Sequence, residues 1–170
     1  MNVIKESEKA YIAGFLDGDG CINAQLVRRS GYRLLYQIRV SITFFQSSKR
    51  HWFLLQLHKR LGCGSVRKRN DGISEYCIVG IASVSAVCEQ LLPYLRLKRR
   101  QAVLICTIIK SLSRHQSKED FLSLCELADQ ISFLNNSKKR SNTACLVRKE
   151  LDLLFPVETS DTKVGDTSSG

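Results

Sequence analysis

No stretch of the 170-residue chain is apolar for long enough to cross a bilayer. The first residues, among them Lys5, Glu6, Glu8 and Lys9, form no apolar leader either. A soluble, unprocessed protein without a membrane partner is expected. There is no Cys-x-x-Cys pair. The seven cysteines (Cys21, Cys63, Cys77, Cys88, Cys106, Cys125 and Cys145) are odd in number and scattered. This argues against a disulfide framework and a thiolate zinc site, and for free thiols in a reducing compartment. Histidine is scarce as well. Of three, His51 and His58 stand seven apart and could share a helix face, but two imidazoles lacking a third ligand do not make a metal site.

Acid is in short supply relative to base: 16 Asp and Glu against 26 Lys and Arg, a formal net charge of +10. Such an excess favours a polyanionic partner, nucleic acid before an anionic membrane surface given the missing apolar segments. Hydrophobic residues make up 44% of the chain, enough for one core, and its length leaves no room for a second full domain.

Ser7 is placed to cap a helix that starts near Glu8 and runs through Tyr11, Ala13 and Leu16 to a break at Asp17-Gly18-Asp19-Gly20. Ile22, Ala24 and Leu26 then alternate with Asn23, Gln25 and Val27. Past a Ser30-Gly31 turn, Tyr36, Ile38, Val40, Ile42 and Phe44 alternate with Gln37, Arg39, Ser41 and Thr43. This predicts a hairpin with one apolar and one polar face. Ser48 is placed to cap a second helix carrying Trp52, Leu55 and Leu61, which stops at Gly62-Cys63-Gly64. A second hairpin sets Val66 against Arg67 and Arg69, turns at Asn70-Asp71-Gly72, and returns with Tyr76 and Ile78 inward. Helical patterns cover about 83–92, 98–111, 118–134 and 143–154. One domain over 1–155 is expected, and the Thr, Ser, Asp and Gly composition predicts a disordered tail over 156–170.

The expected class is α+β, with helices covering one face of an antiparallel sheet and the other face open. That open face would display Asn23, Gln25, Arg29, Gln37, Arg39, Thr43, Arg67 and Arg69. These are amide, hydroxyl and guanidinium groups that pair with base edges and phosphates. Solvated faces usually mix Glu and Lys, whereas this one is rich in Arg and amides, with Glu75 as its main acid. Parity sets Glu75 and Cys77 on the side of Arg67 and Arg69. Tyr32 stands at the hairpin tip, and Val27 offers an apolar contact for a thymine methyl. Two basic runs, Arg96-Leu97-Lys98-Arg99-Arg100 and Lys138-Lys139-Arg140, suit phosphate contact, with Lys138 and Lys139 as DNA-binding candidates; solvation accounts for such runs nearly as well.

The segment Ile12-Ala13-Gly14-Phe15-Leu16-Asp17-Gly18-Asp19-Gly20 resembles the signature of the LAGLIDADG homing endonucleases, and the helix-hairpin-helix-hairpin order continues the likeness to about Leu154. It departs at Ile12 for Leu, Phe15-Leu16 for Leu-Ile, and Gly18 for Ala. The likeness is greatest to the homodimeric, single-motif group I intron type. Ala13 and Gly14 lack bulk, so two such helices can cross closely, which makes both candidates for a dimer interface. Only one motif copy is present and no segment repeats, whereas cutting both strands calls for two reaction centres. Two-fold assembly supplies the second and favours a pseudo-palindromic site.

The resemblance implies an αββαββα core whose sheet forms a DNA-binding saddle, with extra C-terminal helices. It implies a sequence-specific double-strand cut with short 3′ overhangs in a long site, by metal-dependent phosphodiester hydrolysis. Asp17 and Asp19, two residues apart at a helix end, should not point the same way; the resemblance selects Asp19, with the Gly18 carbonyl, for Mg²⁺, Mn²⁺ substituting. Asp17 is read as satisfying the turn. By the same resemblance Gln46 positions the nucleophilic water, and Lys98 and Arg50 stabilise charge at the scissile phosphate. Double-stranded DNA and a second copy of the chain are the implied partners, and an organelle, the chloroplast, the implied compartment. An RNA-binding, maturase-like splicing factor acting on intron RNA and a non-cleaving DNA-binding regulator are the alternatives.

Overall fold

Period-two alternation closed by turn residues yields two hairpins, and these join into one antiparallel sheet in the order β1-β2-β4-β3. The computed structural model describes residues 4–137 and 139–156; Lys138, and the expected tail beyond Pro156, lie outside them. Helix α1 (Glu6–Asp19) runs directly into β1 (Gly20–Arg28), which pairs with β2 (Tyr36–Ser47). A 3-10 turn (Ser48–Arg50) leads to α2 (His51–Leu61), followed by β3 (Ser65–Lys68) and β4 (Ile73–Val79). Helices α3 (Ile81–Leu91), α4 (Arg99–Ser111), α5 (Lys118–Leu134) and α6 (Ala144–Leu154) complete the described chain. The expected α+β class and the αββαββα order with added C-terminal helices are both present. No helix among the described residues is long and apolar enough to cross a membrane.

The helices cover one face of the sheet, and the inward side chains are those of the even-numbered positions. Ile22, Ala24, Tyr36, Ile38, Val40, Ile42, Phe44, Tyr76 and Ile78 are all buried there. Rings stack through the core: Phe15 on Phe44 with centroids 5.6 Å apart, and Phe44 on Tyr76 at 5.7 Å. Burial of each such side chain contributes roughly 1.5–3 kcal/mol. The phenol of Tyr76 donates to the Cys63 carbonyl at 2.5 Å, so its polar end is not stranded. All seven cysteines are free.

Two local expectations are corrected. Helix α1 begins at Glu6, and Lys5 at the cap position makes no side-chain bond, so Ser7 lies inside the first turn; Glu6 and Glu8 supply the negative charge that suits a helix N-terminus. Ser47, not Ser48, caps the turn before α2, while Ser48 Oγ lies 3.0 Å from the buried Ser74 Oγ. Helix α2 buries Leu54, Leu57 and Leu61, whereas Trp52 and Leu55 are 57% and 48% exposed. They sit about 100–160° round the helix from Leu54, on its outer side.

The helix break also falls later than expected. Asp17 and Gly18 are still helical, and the turn into β1 occurs at Gly20, whose backbone is extended. An added Cβ there would lie 2.4 Å from Leu16 Cδ1 and 2.8 Å from the Leu16 carbonyl oxygen. Glycine is required by close approach, which is what lets α1 enter the strand without a loop.

Candidate functional site

The C-terminal end of α1 gathers the candidate catalytic residues. Because α1 feeds β1 directly, Asp19 stands at the head of the row Cys21, Asn23, Gln25 and Val27 on the open face of the sheet. Gly20 pairs with Phe44, so Gln46, two residues further along β2, lies at the same end of the sheet. Gln46 Oε1 accepts the Ser47 amide at 2.9 Å and Arg50 Nη1 at 3.1 Å, which joins these two expected residues side chain to side chain. Beneath them Ser74, fully buried opposite Gln46, lies 3.0 Å from both Ser48 Oγ and His51 Nδ1. That network fixes the turn carrying Arg50.

Lys98 reaches the end of α1 from a distant segment. Its ammonium donates to the Asp17 carbonyl. Burial pushes the Cys21 thiol up, and the nearby Lys98 ammonium pulls it the other way. The Asp17 side chain, 8% exposed, accepts the amides of Arg96 at 2.7 Å, Leu97 at 3.2 Å and Lys98 at 2.9 Å. Asp17 thus satisfies the segment before α4 and not its own turn. Asp19 is exposed, whereas the Asp17 carboxylate is already filled.

Among the described residues no group of three or more His, Cys, Asp or Glu side chains could hold a metal ion. A hard divalent cation at the end of α1 would find one exposed carboxylate, Asp19, and backbone carbonyl oxygens. Oxygen donors fit Mg²⁺, which keeps several waters and takes few protein ligands, the remainder coming from phosphate. The residues present therefore fit such an ion when it is shared with a phosphate.

The open face is polar and continuous. Register sets Asn23 against Ser41, Gln25 against Arg39, Val27 against Gln37 and Thr43 against Cys77, with Arg67 opposite Glu75 across β3 and β4. Same-face side chains recur about every 6.7 Å along a strand, and a two-stranded ribbon fits a DNA major groove about 12 Å wide. Arg29 Nε donates to Gln37 at 3.4 Å, and Tyr32 is half exposed near the tip of the first hairpin. Glu75 accepts Arg67 Nε at 2.5 Å and lies 3.8 Å from Arg69, so the acid on this face is matched by two arginines. Thr43 Oγ1 donates to Cys77 Sγ at 3.5 Å. Lys139 lines a cleft of about 330 Å³ together with Asn23, Gln25 and Val27. By contrast, Arg140 of the same basic run donates to Asp129 and holds its own loop. The face therefore extends from Lys139 at one edge to Arg67 and Arg69 at the other.

The dimer candidates separate. Ala13 has no exposed surface in the single chain, because its methyl points into the chain's own core; it cannot offer a side-chain contact to a second copy. Gly14, one position on, is exposed, and an added Cβ would meet nothing within 4 Å. Close to the same helix, Tyr11 is 61% exposed and packs edge-on to Phe53 at 6.2 Å, as does Trp52 at 6.0 Å; Leu97 is 77% exposed. Sequence reasoning did not single out these three exposed apolar side chains.

A helix ending in an exposed carboxylate beside a basic, groove-sized ribbon suits an endonuclease that cuts DNA. The chain belongs to the LAGLIDADG endonuclease family, whose model matches residues 12–102. It is 52% identical over 145 residues to the DNA endonuclease I-CvuI of Chlorella vulgaris, covering 85% of this chain and 90% of that protein. It is 40% identical over 145 residues to the DNA endonuclease I-CreI of Chlamydomonas reinhardtii, covering 85% and 88%. A crystal structure of I-CvuI in complex with its target, in the presence of 2 mM Ca, superposes with a TM-score of 0.83 at 50% identity, covering 88% of this chain and 95% of that one.

Proposed function

We propose that this homing endonuclease works as a homodimer that makes a double-strand break with short 3′ overhangs in a long pseudo-palindromic DNA site. Mg²⁺, or Mn²⁺ in its place, would be held by Asp19 and the Gly18 carbonyl. When bound, the ion supplies Lewis-acid activation of water and neutralises charge at the phosphate. Gln46 orients the attacking water, and the Lys98 and Arg50 cations stabilise the charge that develops on the phosphoryl oxygens. The residues of the open face read the grooves. Relatives from two algae support an organellar protein, in the chloroplast.

The observation that supports this reading is that Gln46, bonded to Arg50, lies at the end of the sheet where α1 enters β1, while Lys98 reaches the Asp17 carbonyl at that same end of α1, two residues before Asp19. The dimer is supported by Gly14, which leaves an exposed helical position without a side chain, so that a second helix can approach the backbone closely there.

Incubation with Mg²⁺ and a randomised library of duplex targets should yield cut sites with two-fold related halves. Asp19→Asn should lose cutting on the selected site while its binding stays within about 3-fold of the parent, since only a metal-ligand charge is removed. Normal cleavage by that variant refutes the metal assignment. Binding without cleavage by the parent would leave a DNA-binding regulator or an RNA-binding splicing factor.

A further inference from the structure

Asp17 is tied at both ends to one residue far away in the chain. Its Oδ2 accepts Arg96 N at 2.7 Å and Leu97 N at 3.2 Å, its Oδ1 accepts Lys98 N at 2.9 Å, and its carbonyl accepts the Lys98 ammonium. Consecutive backbone amides converging on one anion form a nest. Helix α4 begins immediately afterwards, and Lys98 at its cap position makes no side-chain cap bond. The Asp17 carboxylate supplies the negative charge favoured there, from another element. The segment it holds carries the cations of Arg96, Lys98, Arg99 and Arg100. Of these, Arg99 is directed away, donating to the Leu92 carbonyl at 2.8 Å, while Lys98 is turned onto α1.

We infer that Asp17 is a positioning residue for cleavage: its carboxylate clips the main chain of Lys98 to the end of α1 and so holds the Lys98 ammonium at the helix end that carries Asp19. A carboxylate suits this task and an amide does not. Three N–H groups converge on two oxygens, so replacing one oxygen by NH₂ turns a donor against a donor. The inference rests on the reading that Lys98 acts at the scissile phosphate.

The test is a double-mutant cycle on the full chain, using a duplex selected from a randomised library by the parent protein. Single-turnover cleavage with Mg²⁺, DNA binding and thermal melting are measured for Asp17→Asn, Lys98→Met and the double variant. Lys98→Met should slow cleavage about 100-fold and Asp17→Asn about 10- to 100-fold, each binding within about 3-fold of the parent. The double variant should be no more than about 3-fold slower than Lys98→Met, because a clip has no effect once its load is gone. If the two losses multiply, or if Asp17→Asn weakens binding in proportion to its loss of rate, the inference is overturned while the reading of Lys98 stands. A parental rate in Lys98→Met overturns both. Should Asp17→Asn lack a cooperative melt, Asp17→Ser, which retains one acceptor, is taken through the same cycle: a double variant no slower than Lys98→Met supports the clip, and multiplying losses overturn it.

Discussion

Arg50 Nη1 donates to Gln46 Oε1 at 3.1 Å, across the junction between β2 and α2. The amide oxygen thereby aims the guanidinium and leaves the Gln46 NH₂ for another acceptor. In Gln46→Glu that NH₂ becomes a second anionic oxygen, which holds Arg50 in an ion pair and repels phosphate. Cleavage should fall about 100-fold in single turnover, with DNA affinity changed by less than about 10-fold. A rate within about 3-fold of the parent would remove this pair from the chemistry.

Much of this arrangement was legible in the sequence. Strand parity placed Glu75 beside Arg67, because a period of two leaves no freedom once the turn at Asn70-Asp71-Gly72 is set. The span of α5, capped by Ser117, matched its polar and apolar pattern. Helix phase was less legible. One step of about 100° separates the inward Ala13 from the outward Gly14, and both are small. In α2 both faces carry large apolar residues, so the pattern alone does not tell the exposed Trp52 and Leu55 from the buried Leu54 and Leu57. The role of Asp17 could not be read locally at all, since its partners lie 79 to 81 positions away.

Gly14→Leu separates folding from assembly. The site is exposed and an added Cβ meets nothing within the chain, so the substitution is accommodated internally. Replacing a helix-interior glycine even gains roughly 0.5–1 kcal/mol of helix propensity. The expected result is unchanged helical circular dichroism, with the mass by light scattering reduced to one chain and double-strand cleavage lost. A dimer that still cuts both strands would show that α1 does not cross its partner at Gly14.

The edge strand β1 is closed off by two side-chain amides. Asn135 Nδ2 donates to the Ile22 carbonyl at 2.8 Å, and Asn142 Nδ2 to the Leu26 carbonyl at 2.7 Å. An edge strand with bare carbonyls is a template for pairing with other chains. Replacing both asparagines by alanine should cost about 1–3 kcal/mol in denaturant unfolding and raise light scattering on storage. A loss below about 0.5 kcal/mol without aggregation would mean that water serves these carbonyls equally well.

Cys125 gives stability an alkaline limit. Burial, followed by the Asp129 and Glu126 carboxylates, pushes its thiol from 9.0 up to about 12. The folded state thus keeps the thiol neutral where the unfolded chain ionises it. Both states are neutral below about pH 8, so the stabilising difference is fully present there; between about pH 9 and pH 12 unfolding releases a proton and stability falls by up to about 1.4 kcal/mol per pH unit. Cys125→Ala removes the titrating group. It costs something at every pH through lost packing, but its stability should decline less between about pH 8 and pH 10, by roughly 1 kcal/mol, than that of the parent in denaturant unfolding. Parallel declines in the two proteins would show that Cys125 ionises as easily folded as unfolded, and would assign the alkaline limit to other buried acids such as Tyr76, which burial also pushes up.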